Sequence, residues 1–168
     1  MGPLVDGPEF DSFELRPYQT STTYKNLKRH PEGVLHVTDD VELIAKAAIG
    51  AELGTVATHP ANKVHGQILD DACRWFTFRV KELDDSNERT SIQCQVVDTG
   101  DQRPFFGFCR AKHAVLEAAI LATRTKFLPE EDIRADFERL KIIVEKTAGN
   151  PETRAFELLH SYIDDCFR

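Results

Sequence analysis

The sequence predicts a mainly β protein with α-helices, in which an antiparallel barrel or sandwich is followed by a helical C-terminal part. Short apolar stretches separated by turn residues recur up to residue 108. Turns rather than long helices join most of them, which favours an antiparallel sheet over a parallel one. After residue 108 the sequence becomes rich in Ala and Leu and shows helical periodicity. We therefore expect a β-rich domain, residues 1–108, and a three-helix extension, residues 109–168, packed on it.

The first elements are short and closely spaced. Leu4-Val5 indicates a strand directly at the start, and residues 6–8 (DGP) indicate a turn after it. Phe13 and Leu15 share one face of a second strand. Because a domain seldom begins within its first strand, we expect an N-terminal strand to be missing from this sequence.

The next region mixes a strand, a helix and a connector. Residues 33–38 (GVLHVT) are almost continuously apolar and predict a buried strand. Asp39, followed three residues later by Glu42, predicts a capping box for a short helix that Gly50 ends. Residues 54–69 show no clear period and are interpreted as a long connector.

A hairpin is predicted from two alternating stretches. In residues 74–83 (RWFTFRVKEL) and 90–98 (TSIQCQVVD), apolar side chains occupy every second position. The turn residues 84–87 (DDSN) lie between them, so the two strands should pair in antiparallel fashion.

Three helices are predicted after residue 108. The stretch 110–127 is apolar over a wide arc and should be largely buried. Pro129 is typical of a helix start, and Asn150-Pro151 predicts an N-cap for the last helix. The apolar stripes of the last two helices consist of Ile133, Phe137, Leu140, Val144, Phe156, Leu159 and Ile163.

Bulk composition excludes several function classes. The 168 residues fit one ordinary domain with a small appended part, and a net charge of −7 argues against a nucleic-acid surface. No run of 18 apolar residues predicts a membrane span. The four cysteines include no C-x-x-C pair, which argues against a zinc site or a disulfide framework and favours the cytoplasm.

One stretch is unusually rich in hydrogen-bond donors. Residues 15–31 (LRPYQTSTTYKNLKRHP) contain a run of hydroxyl and amide side chains behind Arg16, and no Asp or Glu. Thr22-Thr23 is expected to cap a short helix through Lys28, and a helix start lined with Ser and Thr suits a phosphate group. The alternative is a polar turn whose hydroxyls satisfy only their own backbone.

Several motifs in one order resemble a known family. "RPYQTSTTYKNL", "GVLHVTDDVELIAKAA", "FGFCRAKHAVLEAAILATR" and "KTAGNPETRAFELL" resemble a family of unknown function in the FMN-binding split-barrel superfamily. The resemblance extends from about Leu15 to the C-terminus. It implies an antiparallel Greek-key split β-barrel with a C-terminal helical extension, which binds FMN at the interface of a homodimer.

The resemblance also implies which residues hold the cofactor. On the phosphate side the expected cofactor-binding residues are Arg16, Thr20, Ser21, Thr22, Thr23 and Asn26, with a helix cap as the alternative for Asn26. Tyr18 is expected to pack against the ring or ribityl chain. Arg110 and Lys112 of the later F-N-R-A-K motif are expected to approach the site, with a surface role at a helix start as the alternative. Tyr24 is a further candidate for packing against the ring or ribityl chain, and for both tyrosines a core or interface role is an open alternative. His36 and Cys109 stand where the family usually has Asn.

Other candidate sites have simpler interpretations. His59 and His65 suggest a metal site, but no carboxylate or Cys is close in sequence. His113 is interpreted as a satisfied core histidine, and Asp39-Asp40 as helix caps rather than an acid/base pair. Cys109 is interpreted as a buried thiol.

The resemblance thus implies an FMN-binding flavoprotein, and its similarity to flavin reductase-like proteins makes hydride or electron transfer the expected reaction class. No residue indicates a proton donor, so no catalytic residue is assigned. A non-enzymatic FMN carrier and a helical interaction protein are the alternatives.

Overall fold

The computed structural model describes residues 2–5 and 10–168. The chain forms two compact units, one comprising Met1–Thr38 and Ala57–Pro104 and the other Asp39–Val56 and Phe105–Arg168. The second unit resumes at Phe105, close to the division expected after residue 108. However, Asp39–Val56 belongs to the helical unit and not to the β-rich part, which differs from the predicted boundaries. The packing of the helical part on the β-rich part stays a prediction.

The first unit is built on an antiparallel sheet. Its five strands run in the spatial order β1-β2-β7-β6-β3, and a separate two-stranded sheet pairs β4 with β5. The hairpin β6–β7 lies between β2 and β3, which is a Greek-key connection. The strands are β1 (Leu4–Val5), β2 (Ser12–Leu15), β3 (Glu32–Val37), β4 (Thr58–Pro60), β5 (Gln67–Leu69), β6 (Arg74–Asp84) and β7 (Ser91–Asp101). The predicted turn after Leu4-Val5 lies outside the described residues.

The β6–β7 hairpin confirms the alternation in the sequence. The two strands are antiparallel, with Phe78 opposite Val96 and Val80 opposite Cys94. Phe78 and Cys94 are buried, as the alternation predicts, but Thr77 is buried as well and the pairing register shifts between Thr77 and Phe78. The short helix α1 (Thr22–Arg29) adds Tyr24 and Leu27 to the same apolar cluster.

Two predictions for this unit need correction. Residues 32–37 form a strand, but its side chains are only half-buried because β3 lies at the end of the sheet order. The connector 54–69 is not structureless, since it contains β4 and β5 with Thr58 opposite Leu69. Each of these strands has three residues, which is too short to produce a visible period.

The second unit consists of four helices around one apolar core. They are α2 (Val41–Ile49), α3 (Arg110–Ala122), α4 (Glu130–Thr147) and α5 (Asn150–Cys166). Helix α2 joins this unit because Val41 and Ala45 pack into the core formed by the three later helices. The predicted apolar stripes are confirmed: the buried members are Ile133, Phe137, Val144, Phe156, Leu159 and Ile163.

Helix ends follow the predicted chemistry with shifts of one residue. Asp40, not Asp39, caps α2, and its Oδ1 accepts a hydrogen bond of 3.0 Å from the Leu43 N–H. Gly50 ends α2 in the left-handed conformation at φ 70°, as predicted. Gly149 rather than Asn150 precedes α5, and its N–H donates to Glu152 Oε2 at 2.9 Å. Among the described residues, no helix is long and apolar enough to cross a membrane.

Candidate anion site at the start of helix α1

The hydroxyl-rich stretch forms a turn that leads into α1. Ser21 is the N-cap, and its Oγ accepts a hydrogen bond of 3.2 Å from the Tyr24 N–H. The expected cap at Thr22-Thr23 is therefore wrong by one residue. Ser21 still has extended backbone, with φ −72° and ψ 150°, while Thr22 is already the first helical residue. The cap satisfies one of the free donors of the first turn and leaves the others available.

The remaining donors of the first turn face solvent. Thr20, Thr22 and Thr23 are exposed, and their hydroxyls form no hydrogen bond with any described residue. The N–H groups of Thr22 and Thr23 have no acceptor within the described chain, as expected at a helix start. The first turn contains no acidic side chain. This end of α1 therefore has the donor chemistry of an anion site.

Arg16 lies at the end of β2, just before the turn. Its Nε is 3.7 Å from Glu14 Oε1, and its side chain is half-exposed. Glu14 Oε1 also accepts a hydrogen bond of 2.7 Å from Ser91 Oγ, which fixes the carboxylate. Arg16 is thus available to solvent, but it shares its charge with a carboxylate.

The two tyrosines of the segment differ in role. Tyr18 is 55% exposed, and the Arg89 guanidinium lies over its ring at 5.8 Å from the centroid. Tyr24 is only 7% exposed and its hydroxyl donates to Asp85 Oδ2 at 2.6 Å. The structure therefore assigns Tyr24 to the core and leaves Tyr18 accessible. Asn26 is exposed on α1, where its backbone carbonyl accepts the His30 N–H at 2.8 Å.

Residues 17–19 are held by the turn of the β6–β7 hairpin, an interaction that no sequence pattern predicted. Gln19 Nε2 donates to the carbonyls of Asp85 at 2.8 Å and Asn87 at 2.9 Å. Thr90 binds the Pro17 carbonyl through its N–H at 3.0 Å and its Oγ1 at 2.8 Å. These partners lie more than 60 residues apart in sequence, and no motif in either segment indicates the pairing.

Lys28 completes a polar cluster on the same turn. Its Nζ donates to Asp85 Oδ2 at 2.7 Å and to Tyr24 Oη at 2.8 Å. The hydrogen bonds from Lys28 and Tyr24 lower the pKa of the Asp85 carboxyl. The positive charge of Lys28 is therefore paired with a carboxylate and is less available to a ligand.

Arg110 and Lys112 belong to the other compact unit and have different surroundings. Arg110 is exposed at the first position of α3 and forms no ion pair or side-chain hydrogen bond with the described residues. Lys112 Nζ donates to the Asp39 carbonyl at 2.6 Å and lies 3.3 Å from Glu152 Oε1. These contacts tie α3 to the N-terminal ends of α2 and α5, so Lys112 has a structural role within its unit.

The segment before α3 exposes aromatic rings. Phe105, Phe106 and Phe108 are 53%, 72% and 99% exposed. The expectation that His113 is a core histidine is wrong, because it is exposed on α3 and stacks on Phe108 with ring centroids 6.1 Å apart. Cys109 is half-buried at the N-cap position of α3 and its side chain forms no cap hydrogen bond.

The remaining histidines do not form a metal site. His59 Nδ1 lies 2.7 Å from Asp70 Oδ1, a carboxylate 11 residues further along the chain. Among the described residues, no group of three potential ligands could hold a metal ion. His36 is half-buried on β3 and its Nε2 accepts the Leu69 N–H at 3.1 Å, while burial lowers the pKa of its imidazole.

Comparison with known families identifies the chain. The protein-family model "Protein of unknown function (DUF447) N-terminal domain" matches residues 1–103. A second family model, "Protein of unknown function (DUF447)", matches residues 109–161. The chain belongs to the DUF447 family. The resemblance inferred from the sequence motifs is therefore confirmed at the level of the family. No protein of curated function matches the chain.

Solved structures show the same fold in the DUF447 family. The crystal structure of the FMN-bound protein MM1853 from Methanosarcina mazei, also of DUF447, superposes with a TM-score of 0.79. The sequences are 18% identical, and the match covers 92% of this chain and 83% of that chain. A flavin reductase domain protein from Arthrobacter sp. FB24 matches with a TM-score of 0.50 and 13% identity, over 61% of this chain and 66% of that chain. The DUF447 chain thus has the predicted antiparallel split-barrel fold with a C-terminal helical extension.

Proposed function

We propose that this protein is a cytoplasmic, homodimeric flavoprotein that binds FMN, with the phosphate held at the start of α1. The observation that carries the proposal is the solvent-facing donor set of residues 20–23 behind Arg16, with no acidic side chain in the first turn. The shared fold and family of the FMN-bound Methanosarcina mazei protein support FMN as the ligand. Backbone N–H groups, hydroxyls and a guanidinium are the donors that suit a phosphate monoester.

The candidate residues around the start of α1 have different parts in this proposal. The N–H groups of Thr22 and Thr23 and the hydroxyls of Thr20, Thr22 and Thr23 donate to the phosphate, and Arg16 neutralises its charge. Ser21 acts mainly as the cap, since its Oγ already accepts the Tyr24 N–H. Tyr18 is exposed and available to pack against the ligand, whereas Asn26 and Arg110 are exposed without an assigned contact.

The homodimer and the cellular compartment are supported by separate observations. Three exposed phenylalanines at Phe105, Phe106 and Phe108 form an apolar surface of the kind that protein interfaces cover. All four cysteines are free thiols, which is compatible with the reducing cytoplasm. Sedimentation equilibrium tests the dimer: a monomer at micromolar concentration would contradict this part of the proposal.

Bound FMN would supply hydride or electron transfer, and the chain would bind and orient it. We propose a flavin-dependent reductase or oxidoreductase as the activity. The alternative is an FMN carrier without turnover, which is consistent with the absence of an assigned acid or base among the residues of this segment. Anaerobic mixing of the FMN-loaded protein with NADH or NADPH separates the two, because a carrier would leave the flavin oxidised.

Binding is tested first by the visible spectrum of the purified protein and by titration with FMN and riboflavin. The proposal predicts that FMN binds more tightly than riboflavin, which lacks the phosphate. The Ser21→Ala/Thr22→Ala variant should weaken the binding of FMN more than the binding of riboflavin. A colourless protein that gains no flavin absorbance on incubation with FMN would contradict the proposal. Equal losses of affinity for the two flavins in this variant would mean that the phosphate binds elsewhere.

A further inference from the structure

Two positive charges near the start of α1, those of Arg16 and Lys28, lie beside carboxylates. Glu14 lies 3.7 Å from Arg16 and offsets part of its charge, and Asp85 pairs with Lys28. Arg16, the guanidinium that precedes α1, is therefore shared with a carboxylate, and so is the Lys28 ammonium. A second cation without a carboxylate partner would complete the charge balance of this site.

Arg89 is such a cation. It is exposed, and its Nε donates to the Arg16 carbonyl at 3.4 Å. Its guanidinium lies over the Tyr18 ring, and among the described residues it forms no ion pair with a carboxylate. The remaining N–H donors of this guanidinium are free to bind a ligand.

The backbone fixes Arg89 beside residues 16–19, which lead into α1. Tyr18 and Arg89 form an antiparallel bridge, and the neighbouring Gln19 N–H donates to the Glu88 carbonyl at 2.9 Å. On its other side, the buried Thr90 binds the Pro17 carbonyl. A side chain that stacks on an aromatic ring and starts from a fixed backbone is pre-organised, so little entropy is lost when it binds.

We infer that Arg89 is a second guanidinium ligand for the phosphate at the start of α1, presented by the β6–β7 hairpin. The inference rests on the proposed function and adds a residue to the site that no sequence motif indicates. The planar guanidinium matches a phosphate in a bidentate arrangement, which a lysine ammonium cannot reproduce. Tyr18 then acts as the platform that orients Arg89.

The test compares FMN and riboflavin affinities of purified variants by quenching of flavin fluorescence. Arg89→Gln should lower the affinity for FMN about tenfold or more, which is the usual loss for a charge-assisted hydrogen bond. The same change should alter the affinity for riboflavin less than about twofold. Arg89→Lys retains the charge and should recover part of the loss. Lys63→Gln removes an exposed positive charge from the β4–β5 loop of the same unit and should leave both affinities unchanged.

The outcomes separate this inference from the proposed function. If the wild-type protein binds FMN no more tightly than riboflavin, the phosphate site itself is contradicted. If the wild type prefers FMN and Arg89→Gln retains that preference, only the role of Arg89 is overturned. Equal losses of affinity for both flavins in Arg89→Gln would also overturn it, because they would indicate a general structural effect. The same loss of FMN affinity in Lys63→Gln would overturn it as well, because it would indicate an effect of net charge rather than a direct contact.

Discussion

The Tyr24 hydroxyl donates a 2.6 Å hydrogen bond to the Asp85 carboxylate, and this contact joins the first turn of α1 to the tip of the β6–β7 hairpin. Lys28 donates to both partners, so three side chains share one cluster. The proposed anion site therefore depends on an interaction between segments that are 61 residues apart in sequence.

A double-mutant cycle measures this coupling. Tyr24→Phe and Asp85→Asn should each lower the midpoint of thermal unfolding. The double variant should lower it by less than the sum of the two single decreases, because each change removes the same hydrogen bond. Asp84→Asn is the control, since Asp84 accepts the Ser86 N–H at 2.9 Å and the Tyr24 hydroxyl donates to Asp85 instead. Additive losses for Tyr24 and Asp85 would show that the hydrogen bond contributes nothing to the folded state.

Stability should fall at mildly acidic pH because of His36. Burial lowers the pKa of its imidazole below the ordinary value of 6.5, so between the folded and unfolded pKa values the unfolded chain binds more protons. Unfolding is then favoured as pH falls below about 6.5, and protonation of Nε2 also removes the acceptor for the Leu69 N–H.

This pH effect is tested by thermal unfolding of His36→Asn between about pH 5 and pH 8, roughly the range over which a histidine titrates. The variant should show a smaller loss of stability on acidification than the wild type. His30→Asn, which removes an exposed imidazole at the end of α1, is the matched control. The same pH dependence in wild type and His36→Asn would rule out this histidine as the source.

The stability of the helical unit should depend strongly on one aromatic pair. Phe137 is 3% exposed and its ring centroid lies 5.4 Å from that of Phe156. Phe137→Ala should cost about 3–5 kcal/mol in the free energy of unfolding, because it removes buried apolar surface and leaves a cavity. Phe127→Ala removes a ring that is 82% exposed and should change stability by less than about 0.5 kcal/mol. Urea titration of both variants measures the difference; similar losses would contradict the assigned core.

Thiol reactivity should follow burial. Burial raises the pKa of the Cys94 thiol to about 12, whereas Cys166 is exposed on α5. Because the thiolate is the reactive species, Ellman's reagent should modify Cys166 in the native protein and Cys94 only after unfolding. Cys166→Ser should remove the fast phase of the reaction. Fast modification that persists in this variant would show that another thiol is accessible.

Local patterns were sufficient to predict most elements. Alternation predicts the β6–β7 hairpin and i, i+4 spacing predicts the stripes of α4 and α5, because both depend on which face of one element is apolar. The sequence also indicates the start of α1, since Ser and Thr at a helix start satisfy backbone donors of the same segment. Predicted caps are off by one residue where two capping residues are adjacent, as at Asp39-Asp40.

What the sequence determined is therefore most of the elements, though not β4 and β5, together with the helical tail and a donor-rich helix start. All of these arise from contacts a few residues apart. Only the tertiary structure decided that α2 packs with the later helices, that β3 is an edge strand and that Tyr24 is a core residue. It also decided that Arg89 lies over Tyr18. These features depend on pairing between segments distant in sequence, and the hydrogen bonds that fix them use backbone groups and ordinary polar side chains that have no distinctive local pattern.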